Sequence, residues 1–211
     1  MADLEKLKNA MADLDENEVN KILQEVMKEG GSQAKDALNS LQKGMEIVGQ
    51  RFEKGDYFIG DLIFSGDAMA KAVQIISSKL GGEKGDSTGK MILCTVKGDL
   101  HDIGKNIVKI IMEASGFEVF DLGIDVPVDT IVQAVKDKGA SIVALSGVLT
   151  LAVESMKKTV DALAATGIRD KVKVLVGGAP INERTSEYIG ADAWSLNPQT
   201  GAQTCRQWVG A

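Results

Sequence analysis

Near residue 81 the apolar residues of this 211-residue chain change their spacing, and few architectures accommodate that change. Before it they recur at steps of three and four. Leu4, Leu7, Met11 and Leu14 form one such run, and Val19, Ile22, Leu23, Val26 and Met27 a second. Ala37, Leu38, Leu41, Met45, Val48 and Phe52 make a third, and Leu62, Ile63, Met69, Val73, Ile76 and Leu80 a fourth. One apolar stripe per run predicts four amphipathic helices. Joined by short loops, they predict a small bundle over residues 1–80. Asp15, with Glu18 three residues later, predicts the start of the second helix, and Gly30-Gly31 its end. The stretch GGEKGDSTG, residues 81–89, holds no apolar side chain and has the composition of a linker.

After the linker the pattern alternates. MILCTV (91–96), EVFDL (118–122), SIVAL (141–145) and VKVLV (172–176) are short apolar or β-branched runs. Helical patterns follow at 106–115, 128–137, 154–165 and 182–189, and a short fifth strand near 193–195 precedes a last helix ending at Val209. Strand–helix alternation at this spacing requires crossover connections and a parallel sheet covered on both faces. Runs that are apolar throughout, not alternating, fit strands buried on both sides. Residues 90–211 are therefore predicted to form a five-stranded, parallel, doubly wound α/β domain. In such sheets ligands bind at the carboxyl ends of the strands, which singles out the loops after 96, 122, 146 and 176.

Composition removes several classes. Thirty acidic against 24 basic residues give a net charge of −6, the wrong sign for nucleic acid or an anionic membrane surface as a main partner. No apolar run is long enough to span a membrane, and the polar, acidic N-terminus lacks the pattern of a signal peptide, so a cytoplasmic location is expected. Cys94 and Cys205 are far apart, which excludes a disulfide framework and a thiolate metal cage. The chain has one histidine, His101.

That histidine lies in the first strand–helix loop, Val96-Lys97-Gly98-Asp99-Leu100-His101-Asp102-Ile103-Gly104-Lys105. A dinucleotide fingerprint fails there, because Leu100 occupies the position of its second glycine. A Walker A loop also fails: five residues separate Gly98 from Gly104 where four are needed, and Lys105 is followed by Asn106. What remains is an Asp-x-His pair, in which one imidazole nitrogen faces a metal while the other donates to a carboxylate. A polar surface loop would carry a histidine equally well. Zinc does not suit the pair, since it needs three or four protein ligands. A metal held by one protein ligand brings the rest of its coordination sphere with it, as in haem or a corrin. The third strand ends Leu145-Ser146-Gly147-Val148-Leu149-Thr150 and the fourth Val176-Gly177-Gly178-Ala179-Pro180. Such glycines can serve tight turns, or two loops of small residues can leave a narrow slot for a flat group.

Together these elements resemble the cobalamin-binding domains of corrinoid-dependent methyltransferases and mutases, whose signature is DxHxxG, then SxL, then GG. Here Asp99-Leu100-His101-Asp102-Ile103-Gly104 is followed after 41 residues by Ser146, and Gly177-Gly178 follows Val148 after 28. The stretch Leu122-Gly123-Ile124-Asp125-Val126-Pro127 also looks like this family. Residues 1–80 resemble the four-helix cap of methionine synthase and of small corrinoid carriers, so the likeness covers essentially the whole chain. Two positions depart from the pattern: Val148 replaces the leucine of SxL, and Ala152 stands where methionine synthase has a serine that extends the ligand relay.

The resemblance implies a cap followed by a Rossmann or flavodoxin-like domain that binds cobalamin with its own base displaced. His101 would be the lower axial cobalt ligand and Asp99 its orienting partner. Leu100, Asp102, Ile103 and Gly104 would line the first loop, and Ser146, Val148, Leu149, Thr150, Gly177, Gly178 and Ala179 would flank the nucleotide tail, with Trp194 and Asn197 near its end. No catalytic residue beyond the cobalt centre is implied. The expected function is a methyl carrier whose cap, with Phe58, Phe64 and Met69 toward the upper corrin face, shields the methyl group. Implied partners are a substrate-specific methyltransferase, an acceptor methyltransferase using tetrahydrofolate or coenzyme M, and a reductive activase. A small subunit of an adenosylcobalamin mutase is the alternative, although such subunits lack the cap. A cobalamin-dependent sensor would carry a DNA-binding or signalling module, and no such pattern is evident.

Overall fold

The computed structural model describes residues 2–79 and 88–210. These form two compact units: residues 2–79 together with residues 114–116, and residues 88–113 with residues 117–210. Of the expected linker, residues 81–87 lie outside the described residues, and Thr88 and Gly89 belong to the second unit.

The first unit is helical: α1 (Leu4–Ala12), α2 (Glu16–Lys28), α3 (Ala34–Lys54) and α4 (Ile59–Ile76), closed by a 3₁₀ turn at Ser77–Lys79. Asp15 caps α2, its side chain accepting the Glu18 N–H. The apolar stripes meet in a core that includes Leu7, Met11, Leu23, Leu41 and Ala72. α1 and α3 approach closely, since a Cβ on Gly44 would stand 2.7 Å from the Lys8 carbonyl oxygen. Arg51 ties α3 to the α1–α2 turn, donating to the Ala12 carbonyl at 2.7 Å and pairing with Asp13 at 2.8 Å. Met69 is only 6% exposed and belongs to this core, so it is not a surface residue; Phe58 and Phe64 are exposed. The helical period that made Met69 a candidate also places it on the buried stripe.

The second unit alternates β1 (Lys90–Thr95), α5 (Asp102–Ala114), β2 (Glu118–Asp121), α6 (Val128–Lys138), β3 (Ile142–Ser146), α7 (Thr150–Ala165), β4 (Lys173–Gly177), α8 (Glu183–Ile189), β5 (Ala193–Trp194) and α9 (Pro198–Val209). All strand pairs are parallel, in the order β2-β1-β3-β4-β5. Ile92, Cys94, Val143, Leu145, Val174 and Val176 face one core with α6 and α7. Their neighbours Met91, Leu93, Ile142 and Leu175 point to the other face and are also buried. There Gly201 of α9 comes against Leu175 and Met112. Two helices begin four residues before their apolar pattern does, α5 at Asp102 and α7 at Thr150. The first turn of α5 exposes Asp102, Ile103 and Gly104, whereas that of α7 already buries Ala152 and Val153 in the core.

Because β1 lies between β2 and β3, the chain leaves it toward one side of the sheet and returns on the other. The crevice at such a switch point, outside the carboxyl ends of the strands, is where ligands bind in this architecture. The loops after β1 and β3 flank it. No helix among the described residues is long and apolar enough to cross a membrane.

Candidate functional site

The loop after β1 folds back at once. The Asp99 N–H donates to the Val96 carbonyl at 3.0 Å, and Gly98 makes the turn with φ +89°, a conformation that glycine adopts without strain. The reversal buries the Asp99 side chain completely and leaves the His101 side chain half exposed.

Every partner of the Asp99 carboxylate is a donor. Oδ1 accepts the His101 backbone N–H at 3.0 Å and meets the ring Nδ1 at 2.9 Å. Oδ2 accepts the N–H groups of Val148 at 2.7 Å and Leu149 at 3.0 Å, both from the loop after β3. Burial pushes this carboxyl up, but the donors from Leu149, His101 and Val148 outweigh it and hold the group below the usual aspartate range. An ionised carboxylate can only accept, so the proton of the neutral ring belongs on Nδ1 and the lone pair on Nε2. The sequence pattern yields an oriented imidazole with one free nitrogen.

The glycines past β3 and β4 bring the neighbouring loops into contact. Gly147 donates to the Gly177 carbonyl at 3.1 Å. A Cβ on Gly177 would stand 2.8 Å from the Ser195 carbonyl oxygen, and one on Gly178, at φ +121°, would collide with the Gly147 backbone. Ala152 packs where a Cβ on Gly147 would go, in place of the serine of the longer relay. Ser146 pairs in register with Thr95 and Gly177, and no hydrogen bond of its hydroxyl is found among the described residues.

The buried Lys105 of α5 pairs with Asp121 at the end of β2, at 2.6 Å. Burial works against the Asp121 charge, and the Lys105 ammonium and the Gly123 N–H outweigh it, keeping the carboxyl below its usual range. The stability this pair adds is complete above the unfolded aspartate pKa of about 3.9 and fades as pH falls through the lower folded value. Lys105→Met is therefore expected to lower stability at pH 7 and to flatten its fall between about pH 5 and pH 2. Urea midpoints across that range check it, and parallel wild-type and variant curves would refute it.

The structure thus brings Asp99, His101, Val148 and Leu149 together through hydrogen bonds, and joins Ser146, Gly177 and Gly178 through the sheet edge. Leu100 and Ile103 are exposed neighbours of the ring, and Asp102 holds Asn106 on its own helix at 3.2 Å. Thr150 begins α7 and Ala179 is exposed; neither has a side-chain hydrogen bond to the other loops among the described residues. Asn197 uses its side chain to cap α9, and Trp194 lies partly exposed on the edge strand β5. Thr95, Asp125 and Gly147 were not among the expected site residues. Asp125 lies in the stretch Leu122–Pro127 that resembles the family, while Thr95 has only its polarity in an apolar strand as a signal.

These residues fit a flat cofactor that brings its own equatorial ligands. The donor set is one imidazole nitrogen, and no group of three His, Cys, Asp or Glu side chains suited to a metal ion occurs among the described residues. The apolar side chains of Leu100, Ile103, Val148 and Leu149 stand exposed on the same two loops. Gly104, in the first turn of α5, has nothing within 4 Å of the place its Cβ would occupy. A helical glycine costs up to about 1 kcal/mol relative to alanine, and no neighbour among the described residues requires this one. It leaves room for a group from outside.

Residues 89–203 match the family model described as the B12 binding domain, and residues 3–77 match a second model of that description. The dimethylamine corrinoid protein of Methanosarcina barkeri is 38% identical over 158 residues, 74% of each chain. A novel cobalamin-binding protein from Desulfitobacterium hafniense DCB-2, known from its crystal structure, is 48% identical, with a TM-score of 0.88 over 99% of both chains. A chain of the methanol:cobalamin methyltransferase complex MtaBC from Methanosarcina barkeri is 25% identical, with a TM-score of 0.85 over 99% of this chain and 80% of that one.

Proposed function

This chain belongs to the B12-binding corrinoid proteins of methyltransferase systems, and from that premise we propose that it carries methyl groups on a cobalamin held by His101. The observation that carries the reading is the Asp99–His101 pair: a fully buried carboxylate meets Nδ1 at 2.9 Å, which favours the ring proton there and leaves Nε2 for a ligand. Cobalamin supplies the chemistry, accepting a methyl group at its cobalt and giving it up again. The chain supplies the setting. Nε2 of His101 would hold the cobalt. Leu100, Ile103, Val148 and Leu149 offer an apolar bed beside it, and Gly104 leaves space at the helix start. Ser146, Thr150, Gly177, Gly178 and Ala179 would flank the nucleotide tail, with Asp102 at the mouth of the first loop.

A methyltransferase is the partner of this reading, in keeping with the methanol:cobalamin methyltransferase complex that contains a similar chain. Dimethylamine and methanol, which appear in the names of its relatives, share a methyl group on nitrogen or oxygen, and we take that as the donor class. A separate acceptor methyltransferase, using tetrahydrofolate or coenzyme M, and a reductive activase complete the proposed cycle. Two compact units fit a carrier that must serve more than one partner in turn.

The test is the Co(II) resonance spectrum of the protein loaded with hydroxocobalamin and reduced. Wild type is expected to show nitrogen hyperfine splitting from below the cobalt. His101→Ala is expected to keep cobalamin, because other loops flank the tail, and to lose that splitting. A variant with the wild-type pattern would refute His101 as the ligand.

A further inference from the structure

Past β2 the chain does not leave the sheet at once. Thr95 donates its N–H to the Gly123 carbonyl and accepts that of Val126, each at 3.1 Å, and Val126 bridges Val96. Ile124 and Asp125 are left between these pairings. Asp125 has φ +54°, and among the described residues only Leu14 and Asp125 have positive φ without being glycine. Glycine would take this conformation at no steric cost, so an aspartate here calls for a reason in its side chain.

The reason lies in the histidine loop. Asp125 Oδ1 accepts the Gly98 N–H at 2.7 Å, and Oδ2 accepts from Lys97 Nζ at 2.8 Å. Its own N–H is shared between the Asp99 carbonyl at 3.0 Å and Thr95 Oγ1 at 2.9 Å. The buried Thr95 hydroxyl donates to that same carbonyl at 2.6 Å. Lys97, Gly98 and Asp99, the three residues that aim the buried carboxylate, are thus all tied to one residue of another loop. We propose that Asp125, with Thr95, is a positioning residue for His101: it fixes the Asp99 backbone, and through the carboxylate it sets the tautomer and direction of the ring. The proposal rests on the reading of His101 as the cobalt ligand.

The single histidine makes this measurable without the cofactor, because a ring ¹⁵N spectrum of the full unloaded chain reports one residue. Asp125→Gly suits the positive φ and removes only the clamp. Thr95→Val removes the hydroxyl and leaves Asp125 in place. Both are expected to keep the wild-type far-ultraviolet dichroism and to raise the share of Nε2–H tautomer severalfold. Loaded with hydroxocobalamin and reduced, both are expected to show broadened nitrogen splitting and about tenfold weaker retention, in line with other partners of metal-bound histidines. Asp125→Asn, which tolerates the conformation and can still accept from Gly98, is expected to restore the wild-type spectra. Wild-type ring spectra in both Asp125→Gly and Thr95→Val would overturn the proposal. A wild-type Co(II) spectrum without nitrogen splitting would overturn the ligand assignment instead, and the tautomer shares would still decide whether Asp125 positions the ring.

Discussion

Gly178→Ala is expected to lower the stability of the α/β unit by roughly 3 kcal/mol or more and to abolish cobalamin retention. Two costs combine. At φ +121° any side chain is strained, and the new Cβ would lie within the Gly147 backbone. Backbone cannot rotate away as a long side chain can, so the loops after β3 and β4 must separate. Their separation strains the bond from Gly147 to the Gly177 carbonyl and displaces Val148 and Leu149, which hold Asp99. Urea unfolding with gel filtration of the cobalamin-loaded protein measures both effects. An unchanged midpoint with cobalamin retained would show that the close approach of these loops is dispensable.

Asp99→Ala is expected to be about as severe. It strands the backbone N–H groups of His101, Val148 and Leu149, and each unpaired buried donor costs on the order of 1–3 kcal/mol. Water entering the space left by the side chain would offset part of this, so a loss of about 3–5 kcal/mol is expected. The more informative variant is Asp99→Asn. If orienting the ring were the only task of this side chain, the amide would be a mild change. With donors on both oxygens, its NH₂ must face either the ring side or the Val148–Leu149 pair, donor against donor. Its loss is expected to exceed half that of the alanine variant, and the ring ¹⁵N spectrum is expected to show mixed tautomers. An asparagine variant within about 0.5 kcal/mol of wild type would show that the second oxygen contributes little.

The contrast between these two variants marks where sequence reading reaches its limit. The Asp-x-His spacing is carried by side chains and is visible in a string of letters. The anchoring of Asp99 by Val148 and Leu149 is not, because any residue but proline supplies a backbone N–H. Much the same holds for the start of α5 at Asp102, where Asp102, Ile103 and Gly104 are exposed and show no apolar period, whereas at the start of α7 the buried Ala152 and Val153 continue the apolar stripe. The parallel sheet and its helical layers followed from apolar runs, which burial on both faces demands. The strand order did not, since an apolar strand reads alike at the centre and near the edge. Met69, a candidate for the upper corrin face, lies on the buried stripe of its helix, and its apolar character alone does not separate the two roles. Gly177 and Gly178 were legible as glycines, but the carbonyl groups that require them belong to Ser195 and Gly147, distant in sequence.

The strand order also sets a schedule. The carboxylate that aims His101 is held by residues 148 and 149, its backbone by residue 125, and the loop beyond β3 is pressed into shape by residue 178. A chain still emerging from the ribosome has its histidine early, yet no fragment that stops short of β4 contains the whole grip. Pairing between strands so far apart in sequence is slow to form. On the proposed reading, then, the full grip on cobalamin waits until the segment beyond β4 has been made and paired.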